Sequence, residues 1–224
     1  IMLQLLVFDM DGVIVDTEYL DFQLQQAFVC LFSSSPNELS QQDFSILVGK
    51  SYTALYRCIK QLSQTSLSLE IIDHQLEKFA SENYQEVNYQ ELFRKAIVQI
   101  LLYARKNHIK VTLAPSFRYQ HIIEVLTSCG IKEYFDLIVS GEDFAESKLN
   151  PAIYQVILEK LDINVENAVA IENSFCGIAA AKSAGLKIIA YEEKRMPVDQ
   201  SQADMVAKDM IEIFSILQTL KESE

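Results

Sequence analysis

Apolar and polar positions along the chain form two recurring patterns. Longer segments carry apolar residues three or four positions apart, which is the spacing of a helix with one buried face. Short runs of consecutive apolar residues, typical of strands buried on both faces of a sheet, alternate with them at 5–8, 109–114, 135–139, 168–171, 186–190 and, as an edge strand, 205–207. The helices predicted in this alternating part lie at 92–107, 118–129, 152–161, 174–184 and 210–220. The alternation predicts an α/β fold with a doubly wound parallel sheet.

The stretch between the first and second predicted strands departs from this alternation, because it contains several helical segments and few strand signals. Its predicted helices lie at 16–32, 41–47, 52–62 and 69–84, with a loop at 33–37. We therefore expect an all-helical domain at 17–90, inserted into an α/β core that comprises residues 1–16 and 91–224.

The first predicted strand runs directly into two acidic residues. Asp9 would lie at the strand tip, Asp11 follows in the turn, and Gly12 permits backbone conformations that other residues resist. Ligands of open α/β sheets bind at the carboxyl ends of the strands, and two carboxylates this close repel each other unless a cation or a proton lies between them. The pattern indicates a divalent-metal site beside a carboxylate nucleophile; a plain surface turn is the alternative.

The segment DMDGVIVDTE, residues 9–18, closely resembles the first motif of the haloacid dehalogenase (HAD) superfamily. The likeness is greatest to the branch that contains β-phosphoglucomutase and phosphoglycolate phosphatase. The resemblance implies a Rossmann-type core with an inserted helical cap, and phosphoryl transfer through an aspartyl-phosphate. By this resemblance Asp9 is the nucleophile and Asp11 is the general acid and base.

Two later segments resemble the second and third motifs of the family. The segment SGED at 140–143 and KLNP at 148–151 match the third motif, which assigns to Lys148 the neutralisation of charge on the nucleophile and the phosphoryl group. A surface lysine before a helix is the alternative. The phosphate-binding hydroxyl of the second motif falls on Pro115, which offers neither a hydroxyl nor an N–H. We expect the next residue, Ser116, to bind phosphate instead.

The fourth motif resembles the segments IENS at 171–174 and GIAAAKSAG at 177–185. The resemblance implies Mg²⁺ as cofactor, with expected ligands in Asp9, the backbone carbonyl of Asp11, Glu172 and Asn173. Relatives usually carry Asp at the position of Asn173. An amide offers an oxygen but no charge, so we expect weakened Mg²⁺ affinity unless Glu172 compensates.

A loop within the helical insertion is a further candidate for substrate contact. The segment VGKS at 48–51 lies between two predicted helices, where relatives place a cap loop that contacts the substrate. Gly49 and Lys50 are the candidate contacts there, because a lysine suits an anionic ligand in an acidic protein. A solvated loop lysine is the alternative.

Composition limits the classes of partner. The chain has 31 acidic and 19 basic residues, a formal net charge of −12, which disfavours nucleic acid and anionic membranes. The four cysteines lack the spacing of a zinc or redox motif, no apolar run approaches the length of a membrane span, and the first strand begins almost at once. We expect a cytoplasmic monomer whose partner is a small phosphorylated metabolite.

These observations favour a Mg²⁺-dependent phosphohydrolase acting through an aspartyl-phosphate; a sugar-phosphate mutase would use the same residues. The alternative is a catalytically weak or inactive relative that binds a ligand or a protein, which Pro115 and Asn173 motivate. A dehalogenase would need no metal, but such enzymes usually lack an equivalent of Asp11.

Overall fold

The computed structural model of the chain describes residues 2–50, 52–83, 86–144 and 148–222. Its strands are β1 Leu5–Phe8, β2 Lys110–Leu113, β3 Leu137–Ile138, β4 Ala168–Glu172, β5 Lys187–Tyr191 and β6 Met205–Ala207. In the described residues they form one parallel sheet in the order β3-β2-β1-β4-β5-β6. This sheet confirms the predicted fold class. The strand order reverses beside β1, so the carboxyl ends of β1, β2 and β4 surround the crevice where such sheets bind ligands.

The described residues contain nine α-helices. They are α1 Glu18–Phe32, α2 Tyr52–Ser63, α3 Leu69–Asn83, α4 Tyr89–Leu92, α5 Ile97–Lys106, α6 Tyr119–Ser128, α7 Ala152–Leu161, α8 Phe175–Ser183 and α9 Met210–Glu222. No helix among the described residues combines the length and the apolar character that crossing a membrane would require.

Two apolar layers hold the sheet, one on each face. Successive residues of a strand point to opposite faces, so Leu6 and Phe8 pack into one layer while Leu5 and Val7 pack into the other. The first layer is completed by α5, α6 and α9, and the second by α7 and α8. Because both faces of β1 are fully buried, the residues that follow it are held in fixed positions.

Helices α1, α2 and α3 form a third apolar cluster, which we call the helical layer. Its buried centre includes Phe28, Ile59 and Ile72. Met196 and Val198, from the segment that follows β5, pack into the same cluster. The sheet and the helical layer are thus joined by packing as well as by the two chain crossings, which are the places near Val15 and Phe93 where the chain passes from one to the other.

The structure corrects the predicted elements where the chain crosses between the sheet and the helical layer. The helix predicted at 92–107 begins at Ile97, because Phe93 forms an antiparallel bridge with Val15 and the Arg94 N–H donates to the Ile14 carbonyl at 2.9 Å. For the same reason the helix predicted from 16 begins at Glu18.

Two further differences concern the helical layer. The helix predicted at 41–47 is a 3-10 turn at Asp43–Leu47, and another such turn, at Pro36–Glu38, overlaps the end of the predicted loop at 33–37. Ser51 of the proposed cap loop and Tyr84, the predicted end of the third helix, lie outside the described residues.

Candidate active site

The predicted site residues converge at the carboxyl edge of the sheet, facing the helical layer. A cavity of about 270 Å³ lies between the two, lined from the sheet side by Asp9, Asp11, Ser116 and Lys148. Gly49 and Lys50 line it from the helical layer. Glu172 and Asn173, at the end of β4, are almost fully buried beside this cavity. The structure therefore brings together all the residues that the sequence analysis singled out.

Lys148 is the centre of a buried ionic network. Its Nζ lies 2.8 Å from Asp9 Oδ1 and 2.7 Å from Glu172 Oε1. Tyr154 on α7 donates its hydroxyl to the same Glu172 oxygen. Burial alone would lower the pKa of Lys148, but the charges of Asp9 and Glu172 hold that pKa above its usual range. A permanent positive charge therefore lies beside the proposed nucleophile.

Asp11 lies in a tight turn, and the residue after it, Gly12, has a backbone conformation that favours glycine. Gly12 has φ +76°, and its N–H donates to the Val15 carbonyl at 2.7 Å. The Thr17 hydroxyl donates to Asp11 Oδ1 and orients the carboxyl group. Burial, and then the nearby Asp21, raise the pKa of Asp11 to about 8, against the hydrogen bond from Thr17. The neutral acid is therefore favoured at this position, as proton donation to a leaving group requires.

Two buried oxygens at the end of β4 lack a hydrogen-bond partner in the part of the chain that the structure describes, and oxygen is what a hard cation binds. Asn173 Oδ1 and Glu172 Oε2 are buried and have no hydrogen-bond partner among the described residues. Unpaired buried acceptors are costly unless a proton or a cation satisfies them. The described residues hold no group of three or more His, Cys, Asp or Glu side chains that could hold a metal. A site here therefore depends on the amide oxygen of Asn173 and on backbone oxygen, both suitable for Mg²⁺.

The cap loop reaches the sheet directly at Gly49. Its N–H donates to Glu18 Oε1 at 2.8 Å, and its φ is +72°. A Cβ at this position would lie 2.8 Å from both Cβ and Oγ of Ser174, which caps the N-terminus of α8 by accepting from the Gly177 N–H. The absence of a side chain at position 49 thus allows the loop to pack closely against Ser174 at the start of α8.

A second cavity, of about 710 Å³, continues from the first one. Lys50, Ser116 and Lys148 line both cavities, and the second adds Arg57 from α2 and Arg118 from the start of α6. Four cationic side chains therefore surround this space in a chain whose net charge is −12. Such local positive charge is what an anionic substrate would need.

The turn after β2 places Ser116 in the lining of both cavities. Pro115 accepts a hydrogen bond from the Gly141 N–H at 3.0 Å through its carbonyl, and a Cβ at Gly141 would lie 2.8 Å from Ser116 Cα. The two turns therefore pack backbone against backbone. Pro115 lines the second cavity without an N–H to donate.

Several residues of the site had no role in the sequence analysis. Glu18 belongs to the first motif, but nothing in its type indicated contact with both Gly49 and Asn173. The sequence around Tyr154 indicates only the apolar face of a helix. For Asp21 it indicates only a position one turn after Glu18 on a helix. Desolvation raises the pKa of Asp21, which also lines the first cavity, to about 6.

Comparison with known sequences agrees with this geometry. The sequence profile described as Haloacid dehalogenase-like hydrolase matches residues 6–191, a range that contains strands β2 to β5, most of β1, the helical layer and every site residue discussed above. The chain belongs to this family. It is therefore an enzyme of the hydrolase class, as the first motif implied.

Relatives cover the chain almost completely. A phosphorylated carbohydrates phosphatase of Thermotoga maritima is 29% identical, and the alignment covers 98% of this chain and 99% of the relative. A phosphoglycolate phosphatase of Vibrio parahaemolyticus is 24% identical and covers 96% of each chain. Among solved structures, β-phosphoglucomutase of Clostridium difficile superposes with a TM-score of 0.77 at 21% identity, over 99% of this chain and 98% of that one. At that identity the structural likeness confirms the fold.

Proposed function

We propose that this protein is a Mg²⁺-dependent phosphatase that acts on a small phosphorylated metabolite, with Asp9 as nucleophile. The observation that carries the proposal is the buried contact of Asp9 with Lys148 at 2.8 Å, beneath a cavity bordered by cationic side chains. The similarity to relatives named as phosphatases supports the substrate class.

The first half of the reaction places the phosphoryl group on Asp9. A carboxylate oxygen of Asp9 attacks phosphorus, the ester P–O bond breaks, and protonated Asp11 gives its proton to the leaving oxygen. Lys148 offsets the negative charge that gathers on the phosphoryl oxygens, and Ser116 offers its N–H and hydroxyl to them. The product alcohol leaves, and an aspartyl-phosphate remains.

The second half of the reaction returns the enzyme to its starting state. Asp11, now ionised, takes a proton from a water molecule, whose oxygen attacks phosphorus. The bond between phosphorus and Asp9 breaks, which releases inorganic phosphate and leaves Asp11 protonated again. A mutase would differ only in the acceptor, since a sugar hydroxyl would take the place of water.

The metal would be held by Asp9, the Asp11 carbonyl and Asn173, with Glu172 beside it. When bound, Mg²⁺ would reduce the repulsion between the anionic nucleophile and the anionic phosphoryl group. Without the metal, the phosphate would meet Asp9, Asp11 and Glu18 in one cavity, where Lys148 and Lys50 are the cationic side chains.

We infer that the helical layer acts as the cap over this site. It joins the sheet through two adjacent crossings, at Val15 and Phe93, and supplies Gly49 and Lys50 to the cavity. Closure over the substrate would exclude bulk water, which otherwise weakens the electrostatic interactions used in catalysis. Arg57 and Lys50 of the cap face Arg118 across the second cavity, which favours a substrate with a further polar or anionic group.

Phosphate release from a panel of phosphorylated sugars and small organic phosphates, measured with and without Mg²⁺, tests the proposal. We expect turnover that depends on Mg²⁺ and falls at least about a thousandfold in the Asp9→Asn variant, because an amide cannot form the aspartyl-phosphate. Thermal unfolding of the variant provides the folding control. Residual turnover in Asp9→Asn near the wild-type rate would refute Asp9 as nucleophile. No release from any substrate would favour the non-catalytic alternative.

A further inference from the structure

The Asn173 side chain has one end occupied and the other end available. Its Nδ2 donates to Glu18 Oε2 at 3.4 Å. Its Oδ1 is buried and has no hydrogen-bond partner in the described part of the chain. A carboxamide donates at one end and accepts at the other. The contact with Glu18 therefore selects which end of Asn173 remains for a ligand, and that end is the oxygen.

The surroundings fix this orientation. A Cβ at Gly12 would lie 2.0 Å from Asn173 Nδ2 and 3.2 Å from Glu18 Cβ, so the amide packs against the backbone of the Asp11 turn. The second Glu18 oxygen, Oε1, accepts the Gly49 N–H at 2.8 Å. Glu18 thus accepts from Gly49 with one oxygen and from Asn173 with the other, which holds its carboxyl group between them.

The charges of the expected Mg²⁺ ligands indicate what the contact between Glu18 and Asn173 contributes. Asp9 contributes a carboxylate, but Lys148 already forms an ion pair with it at 2.8 Å. The Asp11 carbonyl and the Asn173 amide are neutral. Mg²⁺ loses its water reluctantly and is normally held through carboxylates. Burial, and then the charges of Asp9 and Asp11, raise the pKa of Glu18, so a cation beside it is what favours its ionised form. That carboxylate would lie in contact with the neutral ligand Asn173.

We propose that Glu18 is a positioning residue for the metal, which keeps Asn173 Oδ1 toward the cation and supplies beside it the negative charge that an amide lacks. The inference rests on the proposed function in one respect, since it takes Mg²⁺ as the cofactor. Partners that orient metal ligands contribute roughly 10–100-fold to affinity elsewhere. Because Glu18 begins α1 and also accepts from Gly49, the carboxyl group that orients Asn173 belongs to the helical layer.

A double-mutant cycle on the full chain, read by calorimetric titration with Mg²⁺ in the absence of substrate, tests this role. We expect Glu18→Gln to weaken Mg²⁺ binding at least tenfold. In the Asn173→Asp background we expect the same substitution to have no cost or to strengthen binding. There the two carboxylates repel each other, and E18Q restores a pair of one amide and one carboxylate with the roles exchanged.

The matched control is Asp21→Asn, which removes a negative charge from the same helix and the same cavity. We expect it to change Mg²⁺ affinity less than threefold. Thermal unfolding without metal verifies that each variant folds; Glu18→Asp, which keeps the charge but shortens the side chain, is the second variant and should show an intermediate loss.

Three results would overturn the inference. They are unchanged Mg²⁺ affinity in E18Q, an equal loss for E18Q in both backgrounds, and an equal loss in D21N. The first two would leave Mg²⁺-dependent phosphatase activity standing, so the failure of this inference is distinguishable from that of the proposed function. A wild-type protein that binds no Mg²⁺ at millimolar concentration would overturn this inference together with the metal in the proposed mechanism.

Discussion

Glycine at position 177 determines whether the ionic network beneath the nucleophile can form. A Cβ there would lie 2.1 Å from Glu172 Oε2, and Glu172 is fully buried against Lys148 and Tyr154. We expect Gly177→Ala to lower the free energy of unfolding by about 1–3 kcal/mol, as overpacking does, and to abolish most turnover by displacing Glu172 from Lys148. Urea unfolding and phosphate release measure the two effects.

Ala179→Ser on the same helix is the control for Gly177→Ala. It likewise adds one heavy atom to α8, but at a half-buried position. We expect a change in unfolding free energy within about 0.5 kcal/mol and unchanged turnover. If Gly177→Ala kept wild-type activity, Glu172 would not be needed to hold Lys148 beside Asp9.

Pro115 is the residue at which the site lacks a donor. Replacement by serine would supply an N–H and a hydroxyl while keeping the carbonyl that accepts from Gly141 at 3.0 Å. A hydrogen bond to a charged group contributes about 1.5–3 kcal/mol, so we expect Pro115→Ser to raise kcat/KM for a phosphate ester about tenfold. Pro36→Ser, in a turn of the helical layer, should leave kcat/KM unchanged. A fall in kcat/KM for Pro115→Ser would show that proline fits this enzyme better than a donor does.

The sequence predicted those site residues that belong to short local motifs. Asp9, Asp11 and Lys148 were predicted from short segments, because each lies at a strand end or before a helix. Tyr154 and Glu18 gained their importance only from contacts across the fold, Tyr154 with Glu172 and Glu18 with Asn173. No spacing rule relates residues so far apart in the sequence.

The two chain crossings are held by an arginine clamp that we define as Asp16, Arg94 and Arg195. Asp16 Oδ1 accepts from Arg94 Nη2 at 3.0 Å and from Arg195 Nη2 at 2.7 Å, while its Oδ2 accepts from Arg195 Nη1 at 3.0 Å. Arg195 also lies over the Tyr19 ring of α1, and Arg94 over the Tyr191 ring of β5. The clamp therefore links both crossings to the sheet and to the helical layer.

Acid should release this clamp. Burial by itself would raise the pKa of Asp16, but the hydrogen bonds from Arg195 and the charge of Arg94 lower it below its ordinary value of 3.8. A lowered folded-state pKa contributes stability above the unfolded pKa, and that contribution is lost as pH falls through the folded pKa. We expect Asp16→Asn to cost about 1 kcal/mol at pH 7 and progressively less below pH 4, measured by urea unfolding over that range.

An exposed ion pair is the control for the clamp. Glu82→Gln breaks the exposed pair in which Lys78 Nζ lies 3.8 Å from Glu82 Oε1, and it should cost almost nothing at either pH. A cost of Asp16→Asn that stayed constant from pH 7 to pH 3 would contradict the clamp, because protonation of Asp16 would then leave stability unaffected.

The pattern of apolar positions was sufficient to predict most helices and strands of the α/β part of the chain. The strands and the helices α6 to α9 lie within a few residues of their predicted positions. The prediction of 92–107 as one helix was wrong because Phe93 carries the apolar character of a helix face yet pairs with Val15. Tertiary pairing at the crossing overrides local propensity there, and a single sequence does not show that partner.

The second cavity differs in charge from the whole molecule, because among the described residues four cationic side chains line it against one carboxylate, Glu142. The chain carries a net charge of −12, yet Lys50, Arg57, Arg118 and Lys148 meet around the joined cavities. Composition predicted that an anionic substrate would need local positive charge. It did not predict that this charge would come from the helical layer as well as from the sheet, because that depends on how the two pack.

Closure of the helical layer over the sheet should depend on Gly49. An alanine Cβ would lie 2.8 Å from Ser174, at the place where the cap loop meets α8. We expect Gly49→Ala to hold the cap away from the sheet and to lower kcat/KM about tenfold, mainly through KM, and to lose about 1 kcal/mol of stability to backbone strain at its positive φ. Gly130→Ala is the matched control. Gly130 has φ +69°, close to the +72° of Gly49, but nothing lies within 4 Å of the position that its Cβ would take. The Gly130→Ala variant should lose about 1 kcal/mol of stability and keep its kcat/KM. Equal loss of kcat/KM in both variants would attribute the effect to backbone strain rather than to cap closure.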